Sequence, residues 1–570
     1  MDLFVKILFI ALFFAATIFI GFYCRKKATN SNDFVLGGRN VGPWLSAFAY
    51  GTSYFSAVIF IGYAGSFGWA FGVSAFWIGI GNALIGSWLA WALLGRKTRI
   101  MTQYLNSSTM PDFFAKRFNS EGLRIFAAII IFIFLIPYTA ALYNGLSYLF
   151  NVTFSASVPY WVWILIISVA TGLYVIIGGL MSTALNSFVQ GLIMLVGISL
   201  VVIFALNLNG GLMGSLQELA TKPETGGWVF ASLFGPDPVH LLFVVLLTSL
   251  GCWGLPQMVG KFYSIKNENQ IRKGSVISTA FAIVVAGGCY FLGGFARIFA
   301  DQKSSTVIPE IVAKLPVVII AIVIVLVLAA SMSTLSGLVH TSAATVTFDL
   351  MDRKKNMPEK KKMTWLRVLV VVFIIVSAGL AIFQVYGPAN LTKDIASLMG
   401  ISWGAISGAF IGPFFFGLYW KKTTKASVYA SFISGITIAV VGLILSMANV
   451  HPQIKSEASG YSLLWFDFSD SIYMGVLAMV LSFIIVPLVS KFTKAPDNID
   501  DIFKCYQKKV VVTSDVALTE TVARDTIPVV KDDDLKEASN ENIESNDENK
   551  DYEPIVTATN ESVIIHTTNE

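Results

Sequence analysis

Long apolar runs separated by short polar segments recur from the first residues of the chain to about residue 493. A helix that crosses a bilayer needs roughly 20 predominantly apolar residues. About thirteen stretches meet that need, near 3–23, 43–70, 72–95, 124–150, 160–180, 183–206, 239–259, 274–300, 316–349, 365–386, 395–420, 425–448 and 470–493. The pattern predicts an all-α polytopic membrane protein. The first run is followed, not preceded, by Arg25, Lys26 and Lys27. That is the wrong flank for a cleaved signal peptide, so a retained helix is expected. Beyond about residue 494 the hydropathy collapses. Residues 531–553 carry too little apolar surface to offset the entropy of ordering and read as a disordered tail.

Two of the runs are interrupted. The second contains no charged residue but is rich in small and polar ones: Ser46, Gly51, Thr52, Ser53, Tyr54, Ser56, Gly62, Gly65, Ser66 and Gly68. The seventh carries Gly251-Cys252-Trp253-Gly254-Leu255-Pro256-Gln257, where Pro256 lacks an amide hydrogen and two glycines loosen the preceding turn. Non-helical backbone at membrane depth is tolerated only where it faces protein or a wet cavity. Glycines also permit close helix packing. A pair of broken spans at matching positions of two halves, however, points to a secondary transporter built from inverted repeats. An odd offset of five spans makes the halves antiparallel.

The ninth run carries AASMSTLSGLVH, in which Ala330, Ser333 and Thr334 stand at i, i+3 and i+4 and share a helical face. A carbonyl and two hydroxyls offer hard, neutral oxygens suited to a sodium ion. A proton-coupled carrier needs a titratable group at depth, and the candidates are few. Arg297 and Asp349 fall near span ends, and His340, two turns beyond Thr334, reads as a packed histidine. Sodium coupling is the better expectation, with a proton-coupled or uncoupled carrier as its alternative and a transporter-like nutrient sensor a weaker one.

Composition narrows the classes further. Of 570 residues, 55% are hydrophobic and only 13% charged, half the charge of a soluble protein. The four cysteines (Cys24, Cys252, Cys289, Cys505) and four histidines are scattered, so neither a disulfide framework nor a metal cluster is indicated. No nucleophile–base–orienter set suggests an enzyme, and neither an organic cofactor nor a nucleic-acid partner is expected. The net charge of +5 divides into −9 for residues 531–570 and +14 for the remainder. Loops 24–42, 96–124, 259–273, 350–367 and 421–425 hold 24 Lys and Arg, whereas the opposite loops hold five. That bias predicts an outside N-terminus, a cytoplasmic C-terminus and a plasma-membrane location among lipids.

Six segments, in order, carry a resemblance to the sodium:solute symporter family. They are GGRNVGPWLSAFAYGTSYFSA, TMPDFFAKRF, GLYVIIGGLMSTALNSFVQ, LGCWGLPQMVGKFY with SMSTLSG, and GAFIGPFFFGLYW. The resemblance covers roughly residues 30–495 and is specific for the family, not for the solute. It implies a leucine-transporter-like fold of five helices plus five in inverted repeat. Residues 1–42 would then be an N-terminal helix and cytoplasmic loop, 43–421 the transport core, 422–494 two further spans and 495–570 a cytoplasmic tail.

The same resemblance implies import of a small organic solute with Na+ as coupling ion. Its sodium site maps onto the carbonyls of Thr52, Phe55 and Ala330 and the hydroxyls of Ser333 and Thr334. Its solute pocket maps onto Ser53, Tyr54, Ser56, Asn82, Cys252, Trp253, Pro256 and Gln257. The chain departs from the family in two places. Ser187 stands where some members hold a second sodium with Asp, so one sodium site is expected. Tyr54 stands where proline carriers have Asp, which argues against proline. No buried Lys or Arg stands out in the pocket to fix the solute's charge.

Overall fold

The computed structural model describes residues 2–24, 31–154, 158–221, 227–299, 307–354, 356–387, 395–458, 461–507, 510–512 and 563–565. By contacts the chain divides into two units, 1–505 and 506–570. In the second, Val510–Val512 pairs antiparallel with Val563–Ile565. The acidic stretch 531–553 lies outside the described residues.

The first unit is helical apart from an antiparallel hairpin, Gln453–Ala458 with Tyr461–Asp467, before the last long helix. A helix overlies each of the apolar stretches, but the expected count of about thirteen is not reached by length and composition. Among the described residues ten helices qualify, or eleven if the bent pair Pro238–Trp253 and Pro256–Tyr263 forms one span. Val58–Tyr104 covers two of the stretches as one run. Its bend falls at Gly72, whose φ of 63° a side chain would resist. The Tyr160–Asn207 helix is kinked at Gly179, at φ 57°.

Local chemistry sets many helix starts. Thr109, Asp237, Thr424 and Asp470 are N-caps whose side chains accept from Asp112, His240, Ser427 and Ile472 amides, each satisfying a donor the first turn leaves free. Pro43 opens the Pro43–Tyr54 helix and Pro256 the Pro256–Tyr263 helix, where a missing N–H costs nothing.

Packing in lipid relies on close approach rather than on the hydrophobic effect. Gly400, Gly404, Gly408 and Gly412 recur every four residues on Ile395–Tyr419 and meet Ser471, Gly475, Ala478 and Ser482 of Ser471–Lys491. A Cβ at Gly404 would fall 2.7 Å from the Gly475 Cα, and one at Gly412 2.5 Å from the Ser482 carbonyl oxygen. Gly404→Val is therefore expected to destabilise the protein by about 1–3 kcal/mol through overpacking. Fluorescence-detected size exclusion after heating measures this, and an unchanged apparent melting temperature would show that the two helices can separate freely. At the end of that glycine-bearing helix, Arg117 donates to the Gly417 and Trp420 carbonyls, which accounts for the arginine of TMPDFFAKRF.

Candidate functional site

The site is built where two helices break. The Pro43–Tyr54 helix ends at Phe55, which is extended (φ −95°, ψ 128°), and the chain resumes helical turns from Val58. Leu255 takes the same extended geometry (φ −79°, ψ 122°) between Pro238–Trp253 and Pro256–Tyr263, which are bent by 42°. Both sequence-predicted interruptions are therefore real.

Against the first break lies Val317–Thr345, buried along almost its whole length. The Ser331 hydroxyl accepts from the Ala57 amide at 3.2 Å and fixes that contact. One turn on, the Thr334 hydroxyl lies 3.3 Å from the Thr52 carbonyl oxygen, 3.4 Å from that of Ser53, 3.3 Å from that of Phe55 and 3.2 Å from that of Ala330. A hydroxyl has one hydrogen to donate. Three of the four carbonyls are thus aimed at a point that Thr334 alone cannot satisfy. Oxygens meeting at right angles around a hard cation ~2.4 Å away lie ~3.4 Å apart, which is the spacing here. Burial of the site in protein strengthens the pull of those dipoles on a cation.

Ser333 plays a different part from the one its spacing suggests. Its hydroxyl bonds to the hydroxyls of Thr52 (2.7 Å) and Ser187 (2.8 Å), and Thr52 in turn donates to the Phe48 carbonyl at 2.7 Å. Ser187 is thus a direct partner of Ser333 and more than a missing carboxylate.

The predicted solute residues fall into three groups. Tyr54 donates to the Thr248 carbonyl at 2.6 Å, while Asn82 accepts from the hydroxyls of Thr248 (2.9 Å) and Ser249 (3.1 Å). Cys252 joins them, its sulfur 3.0 Å from the Ser249 carbonyl oxygen and 3.2 Å from that of Gly86. Trp253 donates to the Ile85 carbonyl at 3.0 Å. The second group is Ser53 and Ser56, fully buried with hydroxyls that have no partner among the described residues. The Tyr138 hydroxyl lies against both Ser56 and the Trp403 indole, all of them buried. The third is Pro256 and Gln257, which line a cavity of about 50 Å³ together with Lys261, His340, Thr341 and Thr345.

Sequence reasoning did not find Tyr138, Thr248, Ser249, Trp403 or Lys261. Tyr138 follows the only proline inside the Glu121–Phe154 helix, and Lys261 follows Gln257 by one turn. Those were the available signals. His340 packs as expected, its ring 5.2 Å from that of Phe34 and its Nε2 3.4 Å from the Val35 carbonyl oxygen. Arg297 is sandwiched between Trp69 and Phe230, 3.8 Å from each ring centroid.

Paired helix breaks, a buried cage of neutral oxygens and unpartnered hydroxyls beside it define a secondary transporter. The chain belongs to the sodium:solute symporter family, whose pattern it matches over residues 34–435. It is 28% identical over 505 residues to the osmoregulated proline transporter OpuE of Bacillus subtilis, covering 86% of this chain and 95% of that one. It is also 28% identical over 509 residues to a sodium/proline symporter of Staphylococcus aureus (strain JH9), covering 85% and 92%. The structure of a Na+-coupled sialic acid symporter, solved substrate-bound and outward-open, superposes with a TM-score of 0.68 at 16% identity, over 86% of this chain and 98% of that one. The expected leucine-transporter-like fold is borne out. The protein is a multi-pass plasma-membrane carrier that imports a small solute with Na+ as coupling ion.

Proposed function

We propose that one sodium ion per cycle binds between the first helix break and Val317–Thr345, held by the carbonyls of Thr52, Phe55 and Ala330 and by the Thr334 hydroxyl, with Ser333 at its edge. The convergence of four carbonyls on Thr334 carries this reading. The solute sits on the other side of the same break, against Ser53, Ser56, Tyr138 and Trp403. Ser53 and Ser56 at the break are buried polar groups, and Tyr138 and Trp403 from two further helices stand beside them. Tyr54 and Cys252, satisfied by Thr248, Ser249 and Gly86, shape the pocket wall with Asn82, whose Oδ1 is held by Thr248 and Ser249. Pro256 and Gln257 form its second edge.

Filling both sites would tie the Pro43–Tyr54 helix to Val317–Thr345 and complete the bonds of the unwound segment. Ion and solute therefore each favour the arrangement the other needs, which is what coupling requires. The relatives' names favour an amino-acid-sized solute. The test is uptake into proteoliposomes. Replacing Na+ by choline should abolish concentrative uptake, and the Hill coefficient for Na+ should be near one. A coefficient near two would overturn the single-ion assignment.

The proposed orientation puts the N-terminus outside. Because Cys24, Cys252, Cys289 and Cys505 are all buried, background labelling of intact cells will be low. A cysteine at exposed Phe234 should react with a membrane-impermeant maleimide from outside, and one at exposed Asn356 should not. The reverse pattern would invert the topology.

A further inference from the structure

Lys261 is 6% exposed and lies inside the Pro256–Tyr263 helix. No carboxylate among the described residues pairs with it. Asp112 and Asp349, at the cytoplasmic end of the bundle, are engaged by Lys116, Arg124 and Thr109 instead. The titratable group that faces Lys261 is His340, which is no anion. An ammonium withdrawn from water without a counter-charge is costly. A chain that keeps one there is expected to use it.

Its surroundings indicate the use. Lys261 lines the cavity of about 50 Å³, with Gln257 one turn before it on the same face. The Gln257 Oε1 is buried and unpartnered. Gly337, on the opposite wall, has open space where a side chain would stand, its one near neighbour being the Ser53 hydroxyl at 3.8 Å. Gly260 opens onto the cavity with no atom within 4 Å of where its Cβ would be. The cavity lining extends to Ser108 and Thr109 on one side, and on the other its Gly337 wall adjoins Ser53 at the helix break. It admits an anionic group or a few waters (each needs ~10–15 Å³), but not a whole solute.

We infer that Lys261, with Gln257 beside it, is a specificity-determining residue whose ammonium takes the carboxylate of the carried solute, so that this carrier selects carboxylate-bearing solutes such as zwitterionic amino acids. The inference rests on the reading of the helix break as the Na+ and solute site. A fixed cation opposite a carboxylate also recovers in one bond much of the hydration that both groups lose.

The test uses the full chain purified in detergent and thermal-shift titration in Na+ with amino acids and their carboxamides, L-proline and L-prolinamide first among them. In the wild type the free carboxylates should bind at least tenfold more tightly than the amides. Lys261→Gln should erase that discrimination, and Lys261→Arg, which keeps the charge, should retain it. The melting temperature of each variant in Na+ alone reports folding, and Lys261→Met serves if Lys261→Gln fails to fold. Equal binding of acids and amides by the wild type, no binding of either, or discrimination surviving in Lys261→Gln would each overturn the assignment. Carboxylate discrimination that appears equally without Na+ would leave Lys261 in place and remove the sodium-coupled reading instead.

Discussion

Thr334→Ala should raise the sodium concentration for half-maximal uptake about ten- to 150-fold while leaving much of the maximal rate at saturating sodium. The substitution removes a polar contact worth roughly 1.4–3 kcal/mol and adds neither bulk nor charge. It also strips the one donor from four carbonyls that converge within 3.4 Å of it, so the resting site is loosened as well. Ser333→Ala should have the smaller effect, because that hydroxyl is spent on Thr52 and Ser187. Ser187→Ala should act weakly and through Ser333 alone. Ser336, whose hydroxyl bonds back to the Ser333 carbonyl at 2.8 Å, is the control and should shift the requirement less than about threefold. Sodium titration of solute uptake into proteoliposomes measures all four. An unchanged requirement in Thr334→Ala would remove the proposed site.

What the sequence made legible is what depends on local pattern. Apolar runs long enough to span a bilayer show themselves without any tertiary information, and so do the two helix breaks, because glycine, proline and polar residues disfavour helix at those points whatever surrounds them. The i, i+3, i+4 spacing also put Ala330 and Thr334 on the face that meets the first helix break. Partner choice was not legible. Ser333 and Thr334 look interchangeable along the chain, yet one faces carbonyls and the other a serine chain that includes Ser187, 146 positions away. The hairpin at Gln453–Asp467 was hidden among polar loop residues. The burial of charge was not legible either. Lys261, Arg99, Arg117 and Arg124 all counted as loop cations, and the fold buries every one of them. A tally of signs along the sequence registers which side of the membrane a residue is on, but not whether water reaches it.

Arg124 shows how much rests on such a buried cation. It reaches Asp112 at 2.8 Å, Glu121 at 3.0 Å, Asp349 at 3.9 Å and the Arg353 carbonyl oxygen at 3.2 Å. Asp349 also accepts from the Thr109 hydroxyl at 2.7 Å, and Asp112 pairs with Lys116 at 2.8 Å. One guanidinium therefore joins the Met110–Arg117 helix, the Glu121–Phe154 helix and the foot of the span that carries Thr334. Forming a buried ion pair gains little over apolar packing, but removing one partner leaves a buried charge uncompensated, at about 3–5 kcal/mol. Arg124→Met should thus lower the apparent melting temperature more than Gly404→Val or Thr334→Ala, and reduce the folded fraction after extraction. Asp349→Asn in the same chain should restore part of the loss, because Asp349 loses the cation paired with it whereas Asp112 keeps Lys116. The surface pair Arg96–Glu268, both more than 40% exposed, gives the contrast. Arg96→Met should change stability by less than about 1 kcal/mol. Size-exclusion profiles after heating will rank the variants. If Arg124→Met melts no lower than Arg96→Met, water reaches Asp112 and Asp349, and this end of the bundle is not the closed cluster that these distances describe.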